Sequence, residues 1–149
     1  MHLPFMTLGL WFFAGTAAAQ SDCPPPEVSV WRNNRPVPRD GAPFARLVRL
    51  RVSPGAGCPA NVRYQFTEAQ VTPIRDGRPL TPTKLLRQST ANLGEMGPSV
   101  RPGDRLHVFI PYDKLVVVAA DGTQTPYPIP KGGTDEDEGI SFDWLLVKP

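Results

Sequence analysis

Proline and glycine recur so often along this chain that long helices have little room to form. Nineteen prolines and thirteen glycines occur among the 149 residues. Proline removes a backbone donor and breaks a helix interior, and glycine favours turns over either helix or strand. The spacing therefore predicts short strands joined by tight turns. Residues 83–89 (TKLLRQS) are the one helical candidate.

Between these breaks, apolar and polar residues alternate with a period of two, the pattern of a half-buried strand. In residues 45–53, Val48 and Leu50 share one face while Arg49 and Arg51 share the other. Strands are predicted over residues 27–32, 45–53, 61–66, 68–74, 105–110, 114–120 and 139–147, with tight turns at Asp76-Gly77 and Asp121-Gly122. The expected fold is all-β, a small antiparallel β-sandwich of immunoglobulin-like style.

The two tryptophans in predicted strands are expected to differ in burial. Trp144 lies on the apolar face of the last strand, so it is predicted to be a core residue. Trp31 is followed at once by Arg32 and two asparagines, so it is predicted to be partly exposed.

The N-terminus has the features of an export signal. An apolar run leads into small residues, and Ala17 and Ala19 fit the rule for cleavage before Gln20. An uncleaved membrane anchor is the alternative, although a spanning helix needs roughly 20 apolar residues and this run is shorter. The predicted organisation is a signal peptide over residues 1–19, an arm with the first strand over 20–44, and a β-sandwich domain over 45–149. The mature protein is expected to be periplasmic or extracellular.

Two cysteines, Cys23 and Cys58, are present. An even number in an exported protein predicts one disulfide. A pair of catalytic thiols is the alternative, but the two cysteines lack the C-x-x-C spacing of a redox motif.

Charge is distributed unevenly along the chain, although the net charge is only +2. Residues 27–90 hold eleven Lys or Arg against four acids, and residues 91–149 hold five against nine. Such blocks can neutralise each other within one fold, or they can form a charged docking surface. The stripe Arg46, Arg49 and Arg51 is the candidate partner-binding site. Export argues against nucleic acid as the partner, and favours an acidic protein or an anionic envelope polymer.

The residues needed for most enzyme chemistry are sparse. After cleavage His107 is the only histidine, which leaves too few ligands for a zinc site, and no G-x-S-x-G motif occurs. Asp104 and Asp113 flank one predicted strand and lie about 30 Å apart if the chain is extended. Asp135 and Asp137 are weak candidates for cation binding, because their acidic segment lacks the spacing of an EF-hand. No catalytic residue and no cofactor are predicted.

One stretch resembles a known family. Val100 to Ile110 (VRPGDRLHVFI) enters a strand through a Pro-Gly-Asp turn, and Asp121-Gly122 follows as a hairpin before a last apolar strand. The stretch is similar to the C-terminal periplasmic domains of the gliding-motility and type IX secretion shaft protein. The resemblance implies an immunoglobulin-like fold and a protein-binding role.

These observations predict an exported, non-enzymatic interaction or structural module of the cell envelope with a protein partner. The first alternative is a small binder of an anionic polymer, an ion or a polysaccharide. The second is an enzyme with carboxylate chemistry. Membrane attachment is expected only if the signal peptide is retained. The oligomeric state is not predicted.

Overall fold

A computed structural model describes residues 24–58, 61–129 and 138–149. The predicted signal peptide and Cys23 lie outside these residues. In chain order the strands are β1 (Glu27–Arg32), β2 (Arg35–Pro36), β3 (Leu47–Ser53), β4 (Arg63–Phe66), β5 (Ala69–Arg75), β6 (Arg78–Pro79), β7 (Lys84–Leu86), β8 (Thr90–Asn92), β9 (Arg105–Pro111), β10 (Leu115–Val118), β11 (Gln124–Pro126) and β12 (Gly139–Leu145). Two short 3₁₀ segments, Gly94–Ser99 and Tyr112–Lys114, complete the secondary structure of the described residues.

The strands form antiparallel sheets, which confirms the all-β, sandwich-like prediction. The first sheet has the order β2-β1-β3-β8. The second has the order β12-β9-β5-β6, with β7 also paired to β5. A three-stranded sheet has the order β11-β10-β4. In the chain, β4 directly precedes β5 of the second sheet, and β10 follows β9 of that sheet.

A single apolar core lies between the sheets. Val30 and Leu50 of the first sheet belong to the same buried cluster as Val71, Leu106 and Trp144 of the second. The alternation predicted from the sequence is present in each of these strands, because a period of two places every second side chain on the core side. Trp144 is buried and Trp31 is half-buried, as predicted.

The helix predicted at residues 83–89 is wrong. Lys84–Leu86 is strand β7, which pairs with β5 from Ala69 opposite Leu86 to Val71 opposite Lys84. This register buries Leu86. A helix of seven residues is too short to be stable alone, so the pairing with β5 decides the structure.

Both predicted dipeptide turns are present. Asp76 and Gly77 have positive φ angles of 50° and 74°, the backbone that a two-residue hairpin turn requires. At the second turn Gly122 has a φ of 86°, and the Thr123 N–H donates to the Asp121 carboxylate at 2.9 Å. That hydrogen bond lowers the pKa of Asp121 below its ordinary value.

Residues 33–44, which lie between the first two predicted strands, are tied to the body of the domain. β2 pairs with β1, and Ala42 forms a parallel bridge with Leu146. β1 itself pairs with β3 along five residue pairs, so the first strand belongs to the first sheet. No helix in the described ranges is long and apolar enough to cross a membrane.

Candidate partner-binding face

Strand β3 presents two arginines to solvent. Arg49 and Arg51 are exposed, whereas Leu50 between them and Val48 before them are buried in the core. The strand pairs with β1 on one side and with β8 on the other, and this pairing fixes the direction in which its side chains point. The predicted orientation of the two arginines is therefore confirmed.

Trp31 lies beside these arginines on the same outward face. It is the cross-strand partner of Arg49, and the Arg51 guanidinium carbon lies 4.0 Å from the centre of its ring. The Trp31 indole N–H donates to the Ser29 hydroxyl at 2.9 Å, which fixes the ring orientation. A stacked guanidinium keeps its donors directed outward in the ring plane, where they can meet a carboxylate.

An exposed leucine completes this surface. Leu47, two residues before Arg49 on the same side of β3, is 61% exposed. Trp31, Leu47, Arg49 and Arg51 line one shallow depression of about 190 Å³. We call these four residues the arginine face. It combines a tryptophan and two arginines, residue types that often contribute most to protein interfaces, with an exposed leucine.

Arg46 is not part of the arginine face. Its Nε donates to the Asn92 side-chain oxygen at 3.3 Å, and it lines a separate cleft with Lys84 and Glu95. Positions 46 and 49 differ by an odd number, so a continuous strand places them on opposite sides. This odd spacing is visible in the sequence. Of the three arginines predicted to form a stripe, only Arg49 and Arg51 lie on the same face.

The two arginines of the face are not neutralised within the described part of the chain. The ion pairs found there join Arg75 to Asp104, Lys84 to Glu95, and Arg105 to Asp143. The first two ion pairs each join a basic residue of the block 27–90 to an acidic residue of the block 91–149. The two blocks therefore neutralise each other in part, which was one of the two alternatives considered for the uneven charge. Arg49 and Arg51 take no part in these ion pairs and keep their charge available to a partner.

A deeper groove adjoins the arginine face at the other side of β3. It has a volume of about 440 Å³, and Arg49, Arg51 and Arg87 line it together with Tyr64 and Phe66 of β4. The sequence analysis did not identify Arg87 or Tyr64. No sequence signal brings residues 49–51 near 64 and 87, because the proximity depends on how the sheets lie against each other.

Asp104, considered above for carboxylate chemistry, is engaged in a buried ion pair. It is 2% exposed and accepts two hydrogen bonds from Arg75, both at 2.8 Å. The Arg101 N–H donates to the same carboxylate at 2.9 Å, closing the Pro-Gly-Asp turn. The Arg75 hydrogen bond, more than any other interaction, holds the pKa of Asp104 below its usual value. Asp113 is exposed beyond the far end of β9, so the two carboxylates do not meet.

We expect Asp104→Asn to lower the free energy of unfolding by about 2–4 kcal/mol at pH 7, because it removes the negative charge that pairs with Arg75 at this buried position. A carboxyl with a depressed pKa stabilises the fold above its unfolded pKa of about 3.9, and this contribution is lost as the pH falls through the folded pKa. The difference in the free energy of unfolding between the wild-type protein and the variant should therefore become smaller below about pH 4. Urea unfolding at several pH values measures this difference. A difference that does not change with pH would contradict the stabilising role of the Asp104 carboxylate.

His107 lies on the outward surface of the second sheet. Its Nδ1 is 2.8 Å from the Asp143 carboxylate, directly across from it on β12, and its ring stacks on Phe109. This is the carboxylate–imidazole part of a catalytic triad, but the third member, a hydroxyl hydrogen-bonded to the imidazole, is not found in the described residues. The contact is that of a cross-strand pair stabilising a sheet surface.

The remaining predicted positions are only partly covered. Asp135 and Asp137, the cation-binding candidates, lie outside the described residues. Within the described ranges, no cluster of three or more His, Cys, Asp or Glu could hold a metal. Cys58 is not a free thiol, and its predicted partner Cys23 lies outside the described residues. The pairing therefore stays a prediction.

Comparison with known proteins adds no assignment. No protein-family model, curated protein or solved structure matches the chain.

Proposed function

We propose that this protein is an exported, non-enzymatic interaction module of the cell envelope that binds an acidic protein through the arginine face. The observation that carries the proposal is the pair Arg49 and Arg51, which are exposed beside Trp31 and have no ion-pair partner among the described residues. Guanidinium groups held in this way form bidentate contacts with carboxylates at low entropic cost. Export rests on the N-terminal sequence.

The proposal includes an immunoglobulin-like sandwich with one disulfide. The strand distribution supports it: β1, β3 and β8 lie in one antiparallel sheet, and the intervening and later strands β5, β9 and β12 lie in the other. For the disulfide, Pro24 and Pro25 support the pairing. Both pack closely enough on buried Gly55 that a side chain there would collide with them. Pro24, the residue that follows Cys23 in the sequence, thus lies beside the turn of Cys58, whose N–H donates to the Gly55 carbonyl.

The double variant Arg49→Glu, Arg51→Glu is expected to fold and to lose binding to the envelope partner by at least about tenfold, since each reversed contact replaces attraction with repulsion. Both side chains point to solvent, so the melting temperature should change little. Affinity for the partner that co-purifies from envelope fractions gives the measurement.

The matched control is Arg78→Glu, Lys148→Glu, which changes the net charge equally at exposed positions that line neither the arginine face nor the groove beside it. It should retain most of the affinity. Unchanged affinity and unchanged salt dependence in the Arg49 and Arg51 variant would refute the proposed face. Equal losses in both variants would show that only the overall charge matters.

A further inference from the structure

The groove beside the arginine face is walled by three segments of the chain. Its lining comes from β3, from β4 and from the connection between β7 and β8. The Leu50 N–H donates to the Ser89 carbonyl at 2.7 Å, so this connection lies along β3 where β8 no longer pairs with it. β4 approaches β3 across the groove. A ligand in the groove is therefore recognised by side chains rather than by a strand edge.

The arginine face and the groove share two side chains, Arg49 and Arg51. Both line the depression beside Trp31 as well as the groove, so the two concave surfaces are continuous. Arg87 adds a third guanidinium group on the groove side, and it is exposed. Within the described part of the chain, Arg87 has no ion-pair partner and no acidic residue lines either surface. The joined surface thus carries three positive charges that are open to a ligand.

The three arginines do not lie in one row. Arg49 and Arg51 are two residues apart on β3, which separates their Cα atoms by about 7 Å. Arg87 belongs to the neighbouring connection, two residues before Ser89, whose carbonyl accepts the hydrogen bond from Leu50. It therefore lies to the side of the strand. A partner that meets all three arginines presents a cluster of carboxylates rather than a single line of them.

The groove also has an apolar part. Tyr64 and Phe66 of β4 and Val52 of β3 are half-buried along it. The volume, about 440 Å³, is in the range of ordinary ligand sites. An apolar group of the ligand that covers this part removes it from water, which favours binding in proportion to the buried area. A polypeptide can carry carboxylates and an apolar side chain next to each other, whereas an acidic polysaccharide has no such side chain.

We infer that Arg87 is a third anchor of the partner-binding site, and that the groove receives an acidic cluster of the partner polypeptide together with an apolar side chain. This inference rests on the proposed function and specifies the chemistry of the partner. One carboxylate of the cluster pairs with Arg87, whose planar guanidinium group can donate two parallel hydrogen bonds. The apolar side chain packs against Tyr64 and Phe66. The arginine face attracts acidic proteins in general, and the groove selects among them.

A fluorescein-labelled peptide with two Glu-Glu-Leu repeats is the probe, and fluorescence anisotropy with the mature protein measures its affinity. We expect Arg87→Glu to weaken binding about tenfold or more, since a repulsive charge replaces an attractive one. The matched control Arg78→Glu makes the same change of charge at an exposed position that lines neither surface, and it should bind nearly as well as the wild-type protein. A second peptide, with serine in place of leucine, keeps the charge and should bind the wild-type protein about fivefold more weakly or worse.

Four results would overturn the inference: no binding of the leucine-containing peptide, no greater loss in Arg87→Glu than in Arg78→Glu, equal binding of the serine-containing peptide, or equally tight binding of an oligoglucuronate of the same charge. None of these refutes the proposed function, which fails only if Arg49→Glu, Arg51→Glu leaves partner binding unchanged. If that variant loses the partner while Arg87→Glu binds the peptide normally, the arginine face acts without the groove.

Discussion

Replacing Trp144 with alanine is expected to lower the free energy of unfolding by about 3–5 kcal/mol, the range for removing a large aromatic side chain from a core. Trp144 is fully buried, at 0% exposure, and its ring stacks on Phe44. Its indole N–H also donates to the Ala42 carbonyl at 3.0 Å. The substitution removes core packing and leaves that buried carbonyl with one partner fewer, so the segment around Ala42 loses a tie to the second sheet.

Urea unfolding followed by circular dichroism measures the loss. The matched control is Trp31→Ala, which removes a side chain of the same size from the outward face and should cost much less. Trp144→Phe should be intermediate, since it retains a ring in the core but not the donor. A loss below about 1 kcal/mol for Trp144→Ala would mean that the core is not organised around this residue.

Reduction of the predicted Cys23–Cys58 disulfide is expected to lower the free energy of unfolding by about 3–4 kcal/mol, because the bond closes a loop of about 36 residues in the unfolded chain. The effect acts mainly on the unfolded state, so the circular dichroism spectrum of the folded protein should keep its β signature. Cys58→Ser should reproduce the stability of the reduced wild-type protein.

Intact mass after alkylation, with and without prior reduction, tests the pairing. Protein taken from its native compartment should add no alkyl group unless it is first reduced. Two alkylatable thiols in the unreduced protein would contradict the disulfide.

Most of the longer strands could be predicted from the sequence because their burial follows a period of two. In β12, for instance, Ile140 and Trp144 are buried, and the alternation continues to the buried Leu146 just after the strand. This local pattern does not say which strands pair with each other. Pairing with β5 is the reason that the predicted helix at residues 83–89 is wrong. Residues 83–89 have helix-forming composition, but Leu86 is buried only when the segment pairs with β5.

The candidate site could be predicted only where it depends on the alternation within one strand. Alternation within β3 identified Arg49 and Arg51 as outward residues, and the same alternation separates Arg46 from them. The placement of Trp31 under Arg51 depends on the register of β1 against β3, and the position of Arg87 depends on the arrangement of two sheets. The ion pair of Arg75 with Asp104 likewise joins residues 29 positions apart. These contacts follow from tertiary structure and have no local sequence signal.

Site-specific photo-crosslinking in the cells that make the protein tests the central claim, that the arginine face meets a protein partner. Two exposed leucines provide matched positions for a photoreactive phenylalanine analogue. Leu47, 61% exposed, lies on the arginine face, and Leu85, 51% exposed, lies on β7 away from it. We expect one discrete protein adduct from position 47, abolished by Arg49→Glu, Arg51→Glu, and none from position 85. An adduct from position 85 alone, or no protein adduct from position 47, would contradict the proposed function.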